Sequence, residues 1–247
     1  MSIEVKRQFF ETIKNGKTPE SCSNLLIDIL PKKLYKYFRP NENAVNSLVN
    51  QYLWHSAPNQ LNDPYDSQLG WLGDLAIGDD YFFRAINHSL ATGLKICSLS
   101  EVNDSILMWG HYALDHTGFC IEYDFTDSSW APFSMQLYPI HYTNEILDLK
   151  LCYSSGLNLY NIAILASTAK YTGWEYEQEW RLFMWDTIIT NKIPSPPPTA
   201  IYFGAKSNLD DPLIKQTREF ALIEKIKQHR MELSFDKFEL KPQILKV

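Results

Sequence analysis

Residues 174–183, Trp-Glu-Tyr-Glu-Gln-Glu-Trp-Arg-Leu-Phe, put three carboxylates, a guanidinium and four aromatic rings into one short stretch. Their aromatic content favours a strand, and period-two alternation then sets Glu175, Glu177, Glu179 and Arg181 on one face and Tyr176, Trp180 and Leu182 on the other. Three acids beside one cation on a buried face repel, so one of them must shift its pKa or find a further cation. That arrangement suits acid–base or electrostatic catalysis, whereas a solvated edge strand would carry the same residues as ordinary surface. Three more groups of chemically capable residues lie far apart in the chain: Lys36/Tyr37/Arg39, Asn62/Asp63/Asp66 and Trp109/His111/Tyr112/His116. Each also has a plain structural reading. Tyr37 and Trp109 are core rings with a polar tip, His116 caps a helix, and the Asx-Pro run around Asp63 is a structured turn. Asp63, Asp66, Glu177 and Glu179 offer oxygen donors suited to magnesium or manganese, but neither H-E-x-x-H nor D-x-D-x-D-G spacing occurs, and no metal is expected. The absence of G-x-S-x-G, G-x-G-x-x-G and G-x-x-x-x-G-K-[ST] removes hydrolase-elbow, Rossmann and P-loop chemistry.

The elements that must position these groups follow from periodicity. Strands are expected at 33–39, 52–56, 94–100, 119–124, 137–142, 174–183, 200–204, 232–235 and 238–240. Helices are expected at 42–51, with Asn41 or Asn43 as N-cap, and at 79–91, 103–114, 156–171 and 209–230. Hairpins mixed with crossover helices imply an α+β fold, a mostly antiparallel sheet flanked by helices. Residues 3–30 read as a helical hairpin packed outside the main body, so the expected organisation is an N-terminal helical extension, 1–31, and a single α+β domain, 32–247.

Composition narrows the classes. The chain has 247 residues, 45% hydrophobic and 21% charged, as globular domains do, and its net charge of −6 supplies no global basic field for nucleic acid or a membrane surface. Cys22, Cys97, Cys120 and Cys152 form no C-x-x-C pair and read as reduced, buried thiols. Glu4, Lys6 and Arg7 stand where a signal peptide needs apolar residues, and no apolar run reaches eighteen, so a cytoplasmic protein without a membrane partner is expected.

Five motifs, in order, resemble those of the bacterial domain-of-unknown-function family 2971. They are Leu34-Tyr35-Lys36-Tyr37; Leu61-Asn62-Asp63-Pro64-Tyr65-Asp66; Met108-Trp109-Gly110-His111-Tyr112 with His116-Thr117-Gly118-Phe119-Cys120-Ile121-Glu122-Tyr123; Trp174-x-x-Glu177-x-Glu179-Trp180-Arg181; and Ile201-Tyr202-Phe203-Gly204. A further resemblance is to ADP-ribosyltransferases of the diphtheria-toxin and DarT kind. Tyr35-Lys36-Tyr37 is similar in position to their NAD-holding first strand, although Lys36 stands where His or Arg is usual. Tyr112 answers the middle Ser or Tyr motif, although it falls on a helix, and Glu177-x-Glu179 resembles the closing E-x-E.

This second resemblance implies an NAD-consuming transferase or glycohydrolase, with NAD as substrate, an undefined macromolecular acceptor, and a role as toxin or antiviral defence effector. Glu179 would stabilise an oxocarbenium-like cation while holding a ribose hydroxyl, and Glu177 would deprotonate the acceptor, with His111 and Tyr112 beside them. Lys36, Arg39 or Arg181 would grip the pyrophosphate, Tyr37 or Trp109 would stack on a ring, and Asn62 and Asp63 would complete the site, Asp63 bonding backbone amides or Arg181. A non-catalytic binding module and a metal-dependent nuclease remain the other readings. If the four groups act together, they must line one pocket.

Overall fold

The structure, a computed structural model, describes residues 2–22, 25–26, 29–67, 93–185 and 190–245. Alternating burial builds its centre. In β1 (Leu34–Phe38), Leu34 enters one core layer while Tyr35 and Tyr37 enter another. β1 sits inside an eight-stranded sheet. From one edge to the other the order is β12 (Leu240–Ile244), β11 (Lys227–Leu233), β10 (Pro198–Phe203), β4 (Phe119–Tyr123), β1, β3 (Leu94–Ser100), β8 (Glu179–Trp185) and β5 (Leu137–Pro139). Neighbours pair antiparallel except β10 and β11. The α+β expectation therefore holds.

The two halves of this sheet barely touch. β1 pairs with β4 from Leu34 to Phe38, and β3 with β8 from Leu94 to Ser100, but β1 meets β3 at the single pair Tyr35 and Ser100. Beyond it the strands part, and Lys36 Nζ reaches across the gap to the Ser98 carbonyl at 2.8 Å. Two small sheets flank this body: β2 (Tyr52–Trp54) with β9 (Lys192–Pro194), antiparallel, and β6 (His141–Thr143) with β7 (Ala169–Tyr171), parallel.

Helix α1 (Ser2–Lys14) precedes β1, and α2 (Glu42–Val49) follows it, capped by Asn41 accepting from the Ala44 amide. α3 (Ile106–Tyr112) is capped by Ser105, α4 (Leu159–Thr168) by Asn158, and α5 (Pro212–Ile223) by Asp211 with Pro212 in its first turn. α5 makes the crossover that parallel β10 and β11 require.

Several expectations need correction. Helix α1 is not outside the body: Phe9, Phe10 and Ile13 share a core with Leu94, Tyr138, Phe183 and the buried Ile162–Ala166 stretch of α4. Because α4 is apolar nearly all round, it needs a covering layer, and α1 provides one. The second N-terminal helical piece lies partly, and the expected helix at 79–91 wholly, outside the described residues. The strand expected at 137–142 divides between two sheets as β5 and β6, and the helix expected at 156–171 stops at Thr168, its last residues pairing with β6 as β7. The long helix expected at 209–230 ends at Ile223, Lys225 takes a left-handed φ of 57°, and the chain then runs as β11, paired with β10 and β12.

Candidate functional site

The stretch 174–183 is not one strand. Residues Thr172–Glu177 form a 3-10 turn, Gln178 adopts φ 43° and ψ 53°, and β8 starts at Glu179. Glu175 is thereby left exposed, while Tyr176 packs beside His111. The left-handed residue nevertheless returns Glu177 to the side that Glu179 and Arg181 face, and the Ser100 hydroxyl fixes the Glu177 carbonyl at 2.6 Å. Ser100 is also the residue at which the two half-sheets meet.

Five buried charges gather there: Asp66, Lys170, Glu177, Glu179 and Arg181. The Arg181 guanidinium, 0% exposed, binds Asp66 through both terminal nitrogens at 2.7 and 2.6 Å. It also donates to Glu179 at 2.8 and 3.2 Å and to the Ser167 carbonyl at 2.7 Å. The Lys170 ammonium bridges Glu177 and Glu179 and lies 3.8 Å from Asp66. Three acids face two cations, leaving one negative charge in excess.

This imbalance drives the two glutamates apart. Burial pushes Glu179 up, but Arg181 and Lys170 more than reverse it and hold the carboxyl well below the usual range. Burial and the neighbouring Glu179 charge raise Glu177, and its bonds from Lys170 and Tyr112 only partly compensate. Tyr112 donates to Glu177 at 2.5 Å, and Asn62 donates to the Tyr112 oxygen at 3.3 Å. The Tyr112 phenol is raised, first by burial and then by Glu177, so it remains a proton donor.

An inner cavity of about 270 Å³ opens onto this cluster between β1 and β3. Of the residues singled out in the sequence, Lys36, Tyr37, Asn62, Asp66, Tyr112, Glu177, Glu179 and Arg181 line it. His111 and Asp63 line an adjoining outer cavity of about 750 Å³, which shares Asn62 and Lys170 with the inner one. Asp63 accepts from the Tyr65 amide at 2.9 Å and from Trp174 Nε1 at 2.6 Å, whereas the arginine's acid is Asp66.

Trp109 departs from the expected stacking role. It is fully buried, donates to the Asn103 carbonyl and meets Tyr37 edge-on at 5.3 Å, so it supports the wall from behind. Arg39 and His116 line neither cavity. His116 instead takes φ 70° and accepts from the Lys206 amide; a Cβ on Gly204 would stand 2.1 Å from the same carbonyl, so that motif glycine lets β10 close on the loop.

Lys170 was not anticipated, yet it left a signal. The acid excess called for a second cation, and Lys170 is the sole charged residue between positions 151 and 174. Among the described residues, no group of three or more His, Cys, Asp or Glu is placed to hold a metal, the convergence point of the three acids being taken by the Lys170 ammonium. All four cysteines are free and buried, and no described helix is long and apolar enough to cross a membrane.

Residues 108–182 match the model of a family described as protein of unknown function (DUF2971). The resemblance to that family stands over this span. The matched segment contains Tyr112, Lys170, Glu177, Glu179 and Arg181, while Lys36, Asn62 and Asp66 come from outside it. No curated protein and no solved structure matches the chain.

Proposed function

We propose that the inner cavity binds the nicotinamide–ribose end of NAD and that the carboxylate cluster promotes cleavage of the nicotinamide–ribose bond, passing ADP-ribose to water or to an acceptor. The observation that carries this reading is a pair of adjacent buried acids with opposite proton affinities at the floor of a cavity whose wall bears Lys36. A negative floor and a positive wall complement a ligand with a cationic ring and an anionic diphosphate. As the bond breaks, nicotinamide leaves with the electron pair and the ribosyl carbon becomes cationic. The excess negative charge of the cluster, in which Glu179 is firmly ionised, stabilises that cation. Glu177, whose proton affinity is raised, takes the proton from an attacking acceptor, whereas water needs less activation.

One role shifts from the expectation. Glu179 already accepts three bonds from Arg181 and Lys170, against two at Glu177 from Tyr112 and Lys170, so a ribose hydroxyl is better served by Glu177, Tyr112 and Asn62. The test is to incubate purified protein with NAD and follow nicotinamide release and label transfer into lysate. Glu179→Gln should abolish turnover. Glu177→Gln should spare hydrolysis and impair transfer.

The internal pairing of the cluster also favours a second reading, a non-catalytic ligand-binding module in which these charges are a structural network. Lack of NAD binding at millimolar ligand together with lack of turnover would put that reading ahead.

A further inference from the structure

The outer cavity has a construction of its own. His111, Trp174 and Tyr176 form an aromatic corner, with ring centroids 6.4 Å apart for His111 and Trp174, 6.0 Å for His111 and Tyr176, and 6.1 Å for Trp174 and Tyr176. Polar bonds fix the rings: the Tyr176 hydroxyl lies 2.9 Å from His111 Nδ1, and Trp174 Nε1 donates to Asp63. Rings already held in place lose little freedom when a flat ligand arrives. Asn144 and Glu145, both exposed after β6, add an amide and a carboxylate to the lining, and Tyr171, 58% exposed, adds a further ring. Among the described residues lining this cavity, Lys170 is the one Lys or Arg, and its ammonium is committed to Glu177 and Glu179.

We propose that the outer cavity is a nucleobase site, in which a purine or pyrimidine stacks on Trp174 or Tyr176 and turns its hydrogen-bonding edge to Asn144 and Glu145. Aromatic faces beside a neutral and acidic edge suit a base and not its phosphate, which would need an uncommitted cation. The shared Asn62 and Lys170 put a base bound here next to the paired glutamates. The base is either the adenine half of the dinucleotide or the base of an acceptor. The link to ribosyl chemistry rests on the function proposed above; the base site itself does not.

Full-length protein is titrated with adenosine, guanosine, cytidine, thymidine and NAD, with tyrosinamide as a non-base aromatic, and read by saturation-transfer NMR and tryptophan fluorescence. At least one nucleoside should bind more tightly than tyrosinamide, and Trp174→Leu should weaken it about tenfold, the loss of one stacked base. Because Trp174 also anchors Asp63, the exposed Glu145→Ala variant is run in parallel and should alter the preference among bases. Mutual exclusion of nucleoside and NAD assigns the site to the adenine half, and simultaneous binding assigns it to an acceptor base. The proposal is overturned if no nucleoside binds, if tyrosinamide binds equally, or if both variants bind as wild type does. Nucleoside binding without NAD turnover would sink the function proposed above and leave this site standing; turnover without nucleoside binding would do the reverse.

Discussion

Two buried carboxylate systems occupy the two halves of the sheet, and they are built on opposite principles. On β4, Glu122 accepts from the hydroxyls of Tyr202 at 2.7 Å, Tyr35 at 3.2 Å and Thr199 at 2.7 Å, and from Lys33 at 3.1 Å. Burial raises its pKa, but the Tyr202 and Thr199 hydroxyls and Lys33 more than reverse the effect, so one acid is held firmly in one state. At the other half, Glu177 shares its cation with Glu179 and is pushed toward protonation by burial and by that neighbour. An acid satisfied mainly by neutral donors serves the fold. An acid kept in competition for a cation, beside a cavity, has a proton that can move. Tyr35 touches both systems, lining the inner cavity while donating to Glu122.

The comparison breaks first at Arg181. Arg181→Met leaves Asp66 and Glu179 buried without their main partner and should cost about 3–5 kcal/mol in urea unfolding, the largest loss anticipated. Glu122→Gln keeps its shape and most of its donors' partners, so it should cost about 1–2 kcal/mol and leave NAD turnover near wild type. If Glu122→Gln proved the costlier of the two, the ranking of the systems would be reversed.

The contrast also explains what was legible in the sequence. The sheet strands 34–38, 94–100 and 119–123 are short runs rich in apolar and aromatic residues and were readable, as was the Asn41 cap. The turn at Gln178 was not, because a left-handed Gln leaves no periodic mark and the flanking aromatic residues imitate a strand. Glu177 and Glu179 were paired correctly for the wrong reason: a strand period suggested a common side that the turn supplies instead. Trp109 has the composition of a ligand platform, and its burial depends on β1 and the 103 carbonyl, contacts invisible along the chain. Asp63 and Asp66 were drawn from one turn, but which of them meets the arginine is decided by loop geometry.

A smaller effect separates those two aspartates. Asp63→Ala removes the acceptors of the Tyr65 amide and Trp174 Nε1 and should lower stability by about 1 kcal/mol while loosening the outer cavity. Thermal melting and fluorescence of Trp174 check it. Loss of all function at unchanged melting temperature would move Asp63 from support to chemistry.

The smallest expected change in stability is at Glu177, and its sign is the sharpest test. Its folded pKa is raised above the ordinary 4.5, so its ionisation works against folding at neutral pH, and this opposition fades as pH falls from the folded pKa toward 4.5. Glu179 has the opposite sign: its folded pKa is depressed, so its contribution is fully present above 4.5 and is lost as pH falls through the lower folded value. Glu177→Gln should therefore be within about 1 kcal/mol of wild type at neutral pH, on the stabilising side, with the advantage shrinking on acidification. Glu179→Gln should be clearly destabilised at neutral pH, because Arg181 and Lys170 lose a charged partner. If Glu177 is the proton acceptor, the acid limb of transfer activity should lie above 4.5 and vanish in Glu177→Gln. Urea unfolding across pH for both variants decides the matter: equal destabilisation by the two substitutions would make Glu177 a structural acid like Glu122, and the carboxylate pair would no longer carry two roles.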